Sequence, residues 1–153
     1  MNDAQLITWL NAAGFTAPPI QPDERIAHAT TPLMHAARPG NLEVVQALLT
    51  RGANPSLLNA DGNGALWFAC YADSEPCAQA LIAAGAPLDT QNVNGATTLI
   101  YCASAGKTPL VQLLLAAGAN DSLATLDDFT ALGLAANPEC LRLLKAARKA
   151  RHG

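Results

Sequence analysis

Four cysteines, three histidines and one pair of adjacent aspartates are the residues of this chain best equipped for chemistry. Cys70, Cys77, Cys102 and Cys140 contain no Cys-x-x-Cys pair, and no histidine falls at zinc-finger spacing from them. Their spacing therefore supplies neither a metal cage nor a redox motif. Such a scatter predicts reduced thiols acting as small apolar residues, with no disulfide in a chain expected to be cytoplasmic. His28, His35 and His152 are dispersed. Asp127-Asp128 is expected at a turn, where aspartate is routine. The sequence has no Gly-rich phosphate loop, no nucleophile elbow and no His-Glu metal motif. The expectation is a chain that is not an enzyme and carries no cofactor and no metal.

A repeat must position these residues. Thr31-Pro-Leu-Met-His-Ala-Ala37 returns as Gly64-Ala-Leu-Trp-Phe-Ala-Cys70, then as Thr97-Thr-Leu-Ile-Tyr-Cys-Ala103 and as Thr130-Ala-Leu-Gly-Leu-Ala-Ala136, each step being 33 residues. A second phrase keeps the period: Leu48-Leu-Thr-Arg-Gly-Ala53, Leu81-Ile-Ala-Ala-Gly-Ala86 and Leu114-Leu-Ala-Ala-Gly-Ala119. Each unit reads as a short apolar helix near residues 33–38, a polar break, and a second helix near 44–50. The second helix should close at Gly52, Gly85 or Gly118, where a left-handed residue without Cβ is favoured. Thr108-Pro109 and Asn137-Pro138 read as an N-cap followed by proline in the first turn, and Pro76 fills the equivalent slot. Asp61-Gly62 and Asn94-Gly95 are turn dipeptides that mark projecting hairpin tips.

The same register places the remaining side chains. Cys70 and Cys102 take small-residue positions of the first helix, and Cys77 and Cys140 take the Val44 position of the second. His35 aligns with Phe68, Tyr101 and Leu134 and is expected to pack, while Trp67 and Phe68 are expected to fill the core toward the adjoining unit. Residues 3–13 read as a capping helix with Leu6, Ile7 and Leu10 at helical spacing, closed by Gly14.

The phrase Thr-Pro-Leu-Met-His-Ala-Ala, followed by Gly40-Asn-Leu-Glu-Val-Val45 and the Gly-Ala closure, resembles the ankyrin-repeat family, whose period is also 33. Met34, Trp67, Ile100 and Gly133 stand where that family usually has histidine, so the chain reads as a divergent member. The resemblance implies an all-α solenoid of helix-turn-helix units joined by short β-hairpin-like loops. The boundaries are a capping half-repeat and Pro-rich loop at 1–25, repeats at 26–58, 59–91 and 92–124, and a truncated repeat with a basic cap at 125–153, together one continuous domain. It also implies a binding surface on the concave face rather than a catalytic pocket. Carried over by position, the protein-binding residues are Arg38, Asp61, Asn63, Tyr71, Asn94, Ser104, Asp127, Phe129 and Asn137. Tyr71, Arg38 and Phe129 stand out, because exposed aromatics and arginines concentrate binding energy.

Charge narrows the partner. Through Leu141 the chain has four basic residues against twelve acidic ones, a net of −8; Arg142, Lys145, Arg148, Lys149 and Arg151 then bring it to −3. An acidic body disfavours nucleic acid. The basic tail suits the C-terminal end of a helix and a polar cap. No apolar stretch approaches a membrane span, and the N-terminus lacks a signal-peptide pattern. The expected role is therefore a cytoplasmic monomer that binds one or more unidentified intracellular proteins, as an adaptor or an inhibitor of the immunity type, with no membrane contact. The alternative is an accessory or delivery factor for an enzyme system, including a redox one, that uses its thiols. Solvent accessibility of those thiols separates the two.

Overall fold

Helices in this chain start and stop where side-chain chemistry dictates. The structure, a computed structural model, describes residues 1–152. Among them are nine α-helices and no strand: α1 Asp3–Ala13, α2 Pro32–Ala37, α3 Leu42–Thr50, α4 Ala65–Tyr71, α5 Glu75–Ala83, α6 Thr98–Ser104, α7 Thr108–Ala116, α8 Ala131–Leu134 and α9 Pro138–His152. Thr31, Thr97 and Thr130, on the 33-residue register that Gly64 breaks, each accept a hydrogen bond from the backbone N–H three residues on and cap α2, α6 and α8. Asn41 and Ser74 do the same for α3 and α5. At the far ends Gly52, Gly85 and Gly118 hold φ of +86°, +90° and +99°, as the closures required. One cap differs from expectation. Thr108 is the first residue of α7, the capping position belongs to Lys107, and no side chain caps that helix.

The chain divides into two compact units, with the break after Ala86. In the first, α2 packs on α3 and α4, and α5 packs on α3 and α4. Leu33, Met34, Val44, Val45, Leu48, Leu66 and Leu81 are buried there, and Leu6, Leu10 and Phe15 are buried at the N-terminal end. Each buried leucine or valine contributes roughly 1.5–3 kcal/mol relative to exposure, so these short helices are held by packing more than by propensity. The Pro-rich loop is tied down by Glu24, which accepts bonds from the Thr16 N–H and hydroxyl.

In the second unit α6 packs on α7 and α8, and α9 packs on α7 and α8. Leu99, Ile100, Leu110, Val111, Leu114 and Leu144 are buried. Arg151 fastens α9 by donating two bonds, both 3.0 Å, to the Asp121 carboxylate. That bonding holds the Asp121 carboxyl below its usual range, against the opposing effect of partial burial. The residues 149–152 are thus part of a fastened helix, not only a solvated tail.

Both units join consecutive hairpins with the same bonds. Asp23 accepts from the Asn54 N–H, and Asp89 from the Asn120 N–H, each at 2.8 Å. Arg25 donates to the Leu58 carbonyl at 2.8 Å and Gln91 to the Ala124 carbonyl at 2.9 Å. The Ala60 N–H reaches the His28 carbonyl and the Leu126 N–H reaches the Asn94 carbonyl, both at 3.0 Å. Each partner in the second unit lies 66 residues, two periods, beyond its counterpart in the first. Isolated β-bridges Ile26–Thr30, Leu58–Gly64 and Ala124–Thr130 close the hairpins.

Candidate protein-binding site

Helix α4 buries Leu66, Ala69 and Cys70 against its neighbours and so turns the opposite side outward. That side carries Trp67, Phe68 and Tyr71. Trp67 and Tyr71 are one helical turn apart and stack with ring centroids 5.7 Å apart and planes 16° from parallel. Phe68 meets Trp67 edge-on at 5.3 Å. Neither Trp67 nor Phe68 is buried, which corrects the expectation that they fill the core. The i, i+4 spacing of Trp67 and Tyr71 was the available signal.

Opposite this aromatic face stands a braced hairpin tip. Asn59 accepts from the N–H groups of Asp61 and Asn63 at 3.0 and 3.1 Å, a side-chain substitute for a backbone turn. Asp61 Oδ2 lies 2.9 Å from His28 Nε2 on the preceding tip. Between tip and helix is a cleft of about 440 Å³, floored by Trp67, Phe68 and Tyr71 and edged by Arg38, Asp61 and Asn63. A second cleft of about 410 Å³ adjoins it, and Arg38 and Tyr71 line both. Its other walls are Trp9, His35 and Pro39. His35 meets the rings of Trp9 and Phe15 at 5.5 and 6.1 Å, yet it is exposed, so it lines a wall instead of packing inside.

Four of the nine sequence-derived site residues, Arg38, Asp61, Asn63 and Tyr71, therefore edge one cleft in the first unit. The other five lie in the second unit. Asn94 and Asp127 are exposed on hairpin tips, and Phe129 is 49% exposed there. Ser104 ends α6, its hydroxyl donating to the Tyr101 carbonyl at 3.0 Å. Asn137 is occupied internally: its Oδ1 accepts from the Cys140 N–H at 2.7 Å and its Nδ2 donates to the Gly106 carbonyl at 3.1 Å. It caps α9 as expected and ties that cap to the preceding loop. Sequence reasoning passed over Trp9 and Asn59.

The family model of ankyrin repeats in three copies matches residues 2–92 and 66–151. The chain belongs to the ankyrin-repeat family. No curated protein matches it. Ankyrin repeats generally serve as protein–protein interaction modules, and the family is typically non-catalytic. All four cysteines of this ankyrin protein are fully buried. Among the described residues no three His, Cys, Asp or Glu side chains converge as a metal site would require, and no helix is long and apolar enough to cross a membrane.

Proposed function

We propose that this ankyrin chain is a non-catalytic module that binds an intracellular protein, acting as an adaptor or as an inhibitor of the immunity type. The observation that carries the reading is Tyr71. The residue is 48% exposed, yet its ring is stacked on Trp67. A rigid, half-exposed aromatic beside an arginine offers contact area at little entropic cost, the makeup of an interface anchor. The alternative of a thiol-using accessory factor loses the feature it rested on, because buried thiols meet neither oxidant nor partner.

Affinity capture with the parent chain and with Tyr71→Ala, run side by side on equally folded material, tests the reading. A protein retained by the parent and lost by the variant is expected. Identical captured sets would remove Tyr71, and with it this surface, from the binding role.

A further inference from the structure

We infer that the Arg38–Tyr71 surface is built for an extended peptide segment that places an apolar or aromatic side chain in the Trp67 cleft and a carboxylate, two residues along, against Arg38. The inference rests on the protein-binding reading above and specifies the chemistry of the partner.

Charge placement leads to it. The first unit has three cations against seven acidic residues. Arg51 is held by Asp3 at 2.7 Å, and Arg25 donates to the Leu58 carbonyl. Arg38 has no ion pair and no side-chain hydrogen bond among the described residues, although it is exposed at the wall shared by both clefts. A guanidinium carries five donors in a fixed fork suited to a carboxylate. Asp61 also lines the Trp67 cleft, and its Oδ2 lies 2.9 Å from His28 Nε2. Asp61 lines only one cleft, whereas Arg38 edges both, so an incoming anion is drawn to the Arg38 end and a cation gains less at the Asp61 end.

The floor sets the neighbouring residue. Trp67, Phe68 and Tyr71 line the cleft with aromatic surface, which favours an apolar or aromatic side chain. In an extended segment, residues i and i+2 point the same way and lie roughly 6.5–7 Å apart. An apolar residue at i can then enter the cleft while a carboxylate at i+2 reaches its wall.

The test uses the full chain and three blocked peptides in which phenylalanine is separated by one glycine from glutamate, glutamine or lysine. Binding is read from the indole N–H resonances, assigned with Trp9→Phe. The Trp67 signal should move, and the glutamate peptide should bind about three- to fivefold more tightly than the glutamine peptide, the range of an exposed charge pair. The lysine peptide should be weakest. Arg38→Gln should abolish the preference for the glutamate over the glutamine peptide. Equal affinities, preference for lysine, perturbation of Trp9 alone, or no shift at millimolar peptide would each overturn the inference. Capture that depends on Tyr71 with no carboxylate preference would sink the inference alone and leave the proposed function standing. Capture indifferent to Tyr71→Ala would sink the proposed function.

Discussion

Alanine at Gly118 and alanine at Gly95 impose nearly the same backbone demand, but the second should cost the protein much more. Both glycines lie in the second unit and hold positive φ, +99° at Gly118 and +78° at Gly95. A left-handed conformation costs an L-residue about 1–2 kcal/mol, and the stiffer unfolded chain of an alanine variant returns about 0.4–1 kcal/mol. At Gly118 nothing lies within 4 Å of an added Cβ, so a net loss near 1 kcal/mol is the whole expectation. At Gly95 the Cβ would sit 2.8 Å from the Leu126 nitrogen and 3.1 Å from the Thr125 backbone. Those atoms are main chain and cannot rotate aside. The Leu126 N–H also makes the inter-hairpin bond to the Asn94 carbonyl, so relief of the clash strains that bond, worth about 1 kcal/mol. With overpacking at about 1–3 kcal/mol, Gly95→Ala should lose roughly 2 kcal/mol more than Gly118→Ala. Urea unfolding of the two variants checks this, and at an m-value near 2 kcal/mol/M their midpoints should differ by about 1 M. Equal midpoints would refute the close approach of the two hairpins at Gly95.

Three further outcomes follow from the second unit and the thiols. Asn137→Ala should destabilise by about 1–2 kcal/mol in urea, because it removes the α9 cap and the tie to Gly106. The Asp121 carboxyl is held low by Arg151, so the pair's contribution is present at neutral pH and lost as pH falls through that lowered value. The gap in thermal midpoint between the parent and Arg151→Met should accordingly be largest near neutrality and shrink in acid; a gap that grew in acid would contradict the pairing. Native protein should react negligibly with a thiol reagent over the time in which denatured protein titrates four thiols, since each cysteine is fully buried.

Local chemistry made most of the fold legible. Threonine caps, glycine closures and turn dipeptides act over three or four residues, so the 33-residue period exposed α2, α3, α5 and α6 to within a residue or two of their ends. Thr108 misled because a threonine before proline resembles a cap, whereas the helix begins one residue earlier. The Asp23–Asn54 and Asp89–Asn120 ties were not foreseen. They join residues 31 apart across loops, and only their recurrence at two periods betrays them. The Arg151–Asp121 tie has no repeat counterpart to reveal it. At the candidate site the period singled out Arg38, Asp61, Asn63 and Tyr71, which line one cleft, but misassigned Trp67 and Phe68. Alignment with other repeats suggested a core position, while α4 buries Leu66, Ala69 and Cys70 and leaves both rings only partly covered.

The central claim is that binding energy is concentrated at Tyr71. Calorimetric titration of a captured partner with the parent and with Tyr71→Ala tests it most directly, because it reads affinity apart from fold. Loss of about 2 kcal/mol, roughly 30-fold in Kd, is expected, with the thermal midpoint changed little by removal of a half-exposed ring. An unchanged Kd for Tyr71→Ala at an unchanged thermal midpoint would contradict the account.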